Sequence, residues 1–322
     1  MTVGHYKSVN SLMRHIRESA GISIGGSRDK HALARMGYFH GYKGYRYVGD
    51  VSRCIPYTTF DELRAVVEFD TRVKWLLYPV LMDLEMAMKN LALVEILDAA
   101  QSSALTDIYA NLMPGNRIGG RAGKLAVMHE NGAVLLAAYK RGNAIAKHYY
   151  DGPNENVPVW ALFELITMGA FAGFLQQLSD GTLARVAESW GMKRRDADLM
   201  PHLVFALTDL RNCVAHNGVV FDARFAKSRS VRRQVKDLVS REMGLADGKR
   251  LMFETITDYF VLVVLLASST GWSRRQVRSL VTDYGQLSEA LWSHAPANIF
   301  GMIVHTDHRP KLEAVRRWAA NR

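Results

Sequence analysis

The sequence predicts an all-α protein. Long segments carry apolar residues at spacings of three and four, no stretch sustains two-residue alternation with β-branched enrichment, and several periodic segments begin or end on cap and stop residues. The first helix is expected near Ser8 to Ala20, with Leu12, His15 and Ile16 on one side and Arg14, Arg17 and Glu18 toward water. Gly21 to Ser27 breaks it, and a second helix follows from about Asp29 to Met36. The glycines of that break have no Gly-Lys-Ser/Thr ending and no preceding strand, which argues against a nucleotide phosphate loop. Tyr38 to Tyr47 is an aromatic cluster interleaved with Lys43 and Arg46. Such a pattern suits base stacking or, equally, a packed corner at helix ends.

A long helix is expected from Thr59 to about Leu97, capped by Thr58 or Thr59, with Asp61 and Glu62 at the positive end of its dipole and a kink at Pro79. Its second half puts Glu85 in register with Leu81, Leu84, Met88 and Leu91. That acid is either a buried partner for a basic side chain such as Arg211 or the edge of the stripe. Residues 101–123 read as an irregular, basic loop around Arg117 and Arg121. One helix from Lys124 to His148 then leads to a turn through Tyr150-Asp151-Gly152-Pro153-Asn154-Glu155. Pro158 opens a helix on which Trp160, Phe163, Glu164, Thr167 and Phe171 share a face. A short helix from Leu183 to Trp190, the basic link Lys193-Arg194-Arg195, and a tail with helices over Met252–Leu266, Ser273–Leu291 and from Pro310 complete the expectation.

Composition narrows the class. The chain has 322 residues, 48% of them hydrophobic, enough for one large or two modest domains. A net charge of +10 favours a polyanionic partner over an acidic protein surface. Cys54 and Cys213 are too few for a disulfide framework or a zinc site, so a reducing cytoplasm is expected. No metal or other cofactor is expected. The start, Met1-Thr2-Val3-Gly4-His5-Tyr6, does not read as a secretory signal, and the longest apolar run, Tyr259 to Ala267, is far short of the ~20 residues of a membrane span.

The stretch with chemistry is Asp209-Leu210-Arg211-Asn212-Cys213-Val214-Ala215-His216-Asn217-Gly218. Leu199, Leu203, Val204, Leu207 and Leu210 form the apolar stripe of a helix that Asn217-Gly218 should stop in a left-handed turn. His216 is then expected in the last turn, at the negative end of the dipole, with Asn212 four residues back on the same face. Arg211 is five residues away and would reach the same side only if the final turn unwinds. An imidazole can move protons, and a guanidinium can hold two oxygens of a phosphate that RNA's own 2′-hydroxyl attacks. As a bare pattern the spacing is weak, and Arg35 and His40 repeat it.

The surroundings add specificity. Arg211-Asn212, Ala215-His216-Asn217, the upstream Pro158-Val159-Trp160-Ala161-Leu162-Phe163-Glu164-Leu165, the cluster Gly37-Tyr38-Phe39-His40-Gly41-Tyr42, Tyr57 to Leu63 and Phe69-Asp70-Thr71-Arg72-Val73 together resemble the Abi (abortive infection) family of the HEPN superfamily. The resemblance implies a HEPN-like helical core over 58–225 between an N-terminal segment, 1–57, and a C-terminal helical extension, 226–322. It implies metal-independent RNA cleavage by a toxin-like protein in phage defence and a homodimer in which two motifs meet. It also implies restraint by an antitoxin, which could itself be RNA. The expected roles are proton transfer for His216, phosphate binding for Arg211 and positioning for Asn212, with Glu164, Glu85 and Asn217 in support.

Just beyond, Arg224, Lys227, Arg229, Arg232, Arg233 and Lys236 crowd together, the last four at helical spacing, and read as a track for the RNA backbone. Two rivals remain open at this point: a non-catalytic RNA-binding protein, and a DNA-binding regulator using a helix start at Trp272-Ser273-Arg274-Arg275-Gln276-Val277.

Overall fold

The computed structural model describes residues 8–152, 156–228, 231–245 and 251–321. Among these the chain forms fifteen α-helices, with no strand beyond three isolated bridges, so the all-α expectation holds. The axis is α3, Phe60–Ala100, 41 residues and about 60 Å at 1.5 Å per residue. Thr59 and Glu62 close a reciprocal capping box at its start, and the helix continues past Pro79. Leu63, Val66, Val73, Leu77, Leu84, Met88, Ala92 and Ile96 form its buried face.

Helices α1 (Val9–Ala20) and α2 (Gly26–Met36) follow the expected pattern, with Ser8 capping α1. After α2 the aromatic cluster winds as one π-helical turn, Gly37–Tyr42, and a 3₁₀ turn, Lys43–Tyr45. It divides in two: Tyr42 and Tyr45 enter the core while Phe39 remains 73% exposed.

The middle of the chain departs from the sequence reading in three places. The stretch expected to be irregular contains α4, Leu105–Leu112, which buries Leu105, Ile108, Tyr109 and Leu112. The single helix over 124–148 is two, α5 (Gly120–Lys140) and α6 (Ala144–Tyr150), because Gly142 takes a left-handed φ of 76° and Asn143 caps a new start. Likewise α7 (Val159–Leu165) ends at Ile166, and Thr167 accepts from the Ala170 N–H to begin α8 (Met168–Gln177). Trp160 and Phe171 therefore belong to different helices. The turn expected at 153–155 lies outside the described residues.

Next come α9 (Asp180–Ser189) and the motif helix α10, Met200–Ala215, which packs on α3 and α8. α11 begins at Arg233, with Arg232 as its extended N-cap. α12 (Ile256–Ser269) contains the apolar run and is buried from Ile256 through Ala267. It packs on α10, α11 and α3, and on α13 (Arg274–His294) and α15 (His308–Asn321); between the last two lies α14, Ala297–Val304, which the sequence reading did not foresee. α13 has a Ser273–Gln276 capping box, and it lies along α3 and α15 with Val277, Leu280, Val281 and Tyr284 buried. Residues from Met13 to Ala319 join one hydrophobic cluster. No helix among the described residues is long and apolar enough to cross a membrane.

Candidate active site

The motif helix ends as its last residues dictate. Asn217 is left-handed at φ 54°, its N–H donates to the Val214 carbonyl at 3.2 Å, and the Gly218 N–H donates to the Cys213 carbonyl at 2.8 Å. This is the paired closure of a Schellman stop, with His216 as the C-cap residue. A Cβ on Gly218 would lie 2.5 Å from Cys213 Sγ, so only glycine fits without a shift. Cys213 itself is a packing thiol. Burial pushes it up to about 12, far from a reactive thiolate.

The stop is held from below by α3. Asp70 is fully buried, and its Oδ1 accepts the Val220 and Phe221 N–H groups at 2.8 and 2.9 Å. Its Oδ2 accepts the Tyr45 hydroxyl at 2.6 Å and pairs with Lys74 Nζ at 3.1 Å. Burial pushes the Asp70 carboxyl up, against the pull of the Lys74 ammonium and these donors. Lys74 Nζ in turn donates to Asn217 Oδ1 at 2.7 Å and to the Gly218 carbonyl at 3.2 Å. One carboxylate–ammonium pair, four residues apart on one helix, thus fixes the segment that follows His216. Neither residue was singled out as functional from the sequence. The signal was there: an Asp and a Lys interrupt the buried face between Val66 and Leu77.

His216 is exposed and lines a cleft of about 900 Å³. One wall is the stop itself, Asn217 to Val219. The other is the end of α2 with its π turn, carrying Arg35, Phe39 and His40, and α3 supplies Arg64, Arg72, Lys74 and the 70% exposed ring of Trp75. A smaller hollow shares Arg64, Glu68 and Arg72 with it and extends to His294 on α13. Cationic and aromatic side chains side by side suit a polyanion that carries rings.

Arg211 takes a different direction. Because the last turn closes instead of unwinding, its guanidinium stays over α3, where Nε donates to Glu85 Oε2 at 2.8 Å. Lys89 reaches the other Glu85 oxygen at 3.0 Å, so two cations share one carboxylate and the trio has a net charge of +1. The acid on the α3 stripe is therefore a partner for Arg211. Asn212 Oδ1 accepts from Arg211 at 3.4 Å. Arg211 does not line the cleft of His216, and Arg35 and His40 do. Glu164 is exposed on α7 and has no hydrogen bond or ion pair with Arg211 or His216 among the described residues.

The expected cationic track also changes. Arg224 is committed inside the fold: it pairs with Asp222, donates to the Gly44 and Tyr47 carbonyls at 2.8 and 2.7 Å, and stacks on Tyr47. Arg229 and the Lys227 side chain lie outside the described residues. Since α11 starts at Arg233, only Arg233 and Lys236 of the named cations are helical there, and Arg233 lies 3.8 Å from Asp237. The cleft of His216 is itself lined by Arg35, Arg64, Arg72 and Lys74.

Comparison with known proteins agrees with the motif's setting. Residues 31–222 match the model of a family described as Abi-like protein, a span that takes in both walls of the cleft. No curated protein and no solved structure matches the chain.

Proposed function

This chain belongs to the Abi-like protein family, and from that premise we propose that it is a metal-independent RNA endonuclease acting as a toxin in abortive infection. The observation that carries the reading is His216, presented on a braced helix stop at the wall of a cleft lined by arginines and exposed aromatic rings. In this reading His216 moves a proton while the RNA's 2′-hydroxyl attacks the adjacent phosphorus. In this reading Arg211, held by Glu85, binds a phosphate of the same RNA, and Asn212, which accepts from its guanidinium, positions it.

A homodimer belongs to the same proposal. Tyr78 and Met86 leave large apolar side chains open along α3, and a second copy would cover them. An RNA antitoxin would compete for the cleft with the substrate. The test is cleavage of a labelled RNA by the full chain in the presence of a chelator. Wild type should release products ending in 2′,3′-cyclic phosphate, and His216→Ala should bind the same RNA without cutting it. Cutting that persists in His216→Ala, or that needs added magnesium, overturns the assignment.

A further inference from the structure

The chemistry proposed for His216 requires two proton transfers, one from the attacking 2′-hydroxyl and one to the departing 5′-oxygen, together with a cation on the phosphate. A single histidine meets one of these needs. The same cleft supplies groups for the rest. Arg35 lies in the last turn of α2, Gly37 ends that helix at a left-handed φ of 78°, and the π turn that follows carries His40. This turn is a firm support. Tyr42 is buried, and a Cβ on Gly41 would lie 2.6 Å from the Met36 side chain, so the π turn packs directly on the last residue of α2.

The partners of these side chains distinguish them from their neighbours. Arg64 is paired with Asp61, and Arg72 with Glu68. Arg35 lines the cleft with no acidic partner among the described residues, and the rings of His40 and His216 have no hydrogen bond there. His31, one turn before Arg35 on α2, lines the same cleft and likewise has no hydrogen bond among the described residues. Arg35, His40 and His216, groups of complementary chemistry on two elements some 180 residues apart in sequence, line one cavity.

We propose that Arg35 and His40 complete the site of His216 within one chain, Arg35 binding the reacting phosphate and the two histidines acting as an acid–base pair. The inference rests on the ribonuclease reading and deepens it. One imidazole accepts the 2′-hydroxyl proton as the 2′-oxygen bonds to phosphorus. The bond from phosphorus to the 5′-oxygen breaks, and the other imidazolium gives its proton to that oxygen. The products are a 2′,3′-cyclic phosphate and a 5′-hydroxyl, and no water, metal or oxidant enters the balance. The exposed Trp75 ring on α3 offers a stacking surface for a base, which suits a single-stranded substrate.

The test uses the full chain and two RNA oligonucleotides, one ordinary and one whose scissile 5′-oxygen is replaced by sulfur, a leaving group that needs no proton. On the ordinary RNA, His40→Ala and His216→Ala should each cut at least ~100-fold more slowly than wild type, with unchanged melting temperatures because both side chains are exposed. On the sulfur substrate one of the two variants, the one lacking the acid, should recover and the other should not. Arg35→Ala should lose rate on both substrates. Mixing the two histidine variants should restore nothing, since every site would still lack one imidazole. His40→Ala cutting within about threefold of wild type while His216→Ala is inactive overturns this inference and leaves the ribonuclease reading in place. Recovery of neither variant on the sulfur substrate, or activity regained on mixing, overturns it as well. A wild-type chain that cuts neither RNA overturns both.

Discussion

Asp70→Asn is the sharpest test of how the stop after His216 is held. The substitution keeps the volume and one acceptor oxygen, so the Val220 and Phe221 N–H groups can still be satisfied. The amide nitrogen, however, must then face the Tyr45 hydroxyl and the Lys74 ammonium, and Lys74, only 6% exposed, loses its carboxylate. Stranding a buried charge by removing its partner costs about 3–5 kcal/mol. At ~2–4 °C per kcal/mol for a chain of comparable size, the melting temperature should fall by roughly 6–20 °C. Urea unfolding followed by circular dichroism supplies the free energy. Adding Lys74→Met removes the stranded ammonium, so the double variant should be more stable than Asp70→Asn alone, although Asn217 and the Gly218 carbonyl lose a donor. A loss below about 1 kcal/mol for Asp70→Asn, or simple addition of the two single effects, would refute the idea that this pair braces the site.

Three further outcomes follow from the same geometry. Gly218→Ala should cost about 1–3 kcal/mol by driving a methyl group against Cys213 Sγ, and Cys213→Ala in the same chain should recover part of it; an unaltered urea midpoint in the single variant would count against the close approach. His308 is buried with Nδ1 on Thr257 Oγ1 at 2.8 Å and Nε2 without a hydrogen bond, and burial lowers it to about 4 from the 6.5 of a free histidine. Between those values the unfolded chain takes up a proton that the folded chain does not, so this contribution is present above pH ~6.5 and is lost as pH falls toward ~4, on the order of 3 kcal/mol in all. His308→Gln should flatten the dependence of stability on pH across that window, and an identical slope in the variant would exclude His308 as its source. Trp75→Ala should weaken binding of a single-stranded RNA oligonucleotide by ~1–3 kcal/mol, read by fluorescence anisotropy, whereas an unchanged affinity would remove the ring from the binding surface.

The helical class was legible because its causes are local. Apolar residues three and four apart, a threonine cap before Phe60, a helix start at Ser273 and the stop at Asn217-Gly218 each act within a turn or two of chain, and each appears in the structure where the pattern predicts it. The errors in the middle were local as well, at Gly142 and Thr167, where a left-handed glycine and a cap outweighed a continuous apolar pattern. The motif helix and its stop, with His216 at the end, were likewise determined by sequence. What surrounds His216 was not. Whether Arg211 or Arg35 shares its cleft depends on how α10 crosses α3 and on which way the π turn after α2 faces. Those directions come from packing between segments more than a hundred residues apart, with Asp70 and Lys74 holding them in place. Spacing along a chain specifies which side chains a helix presents on each face; only tertiary packing brings the faces of different helices to one cavity.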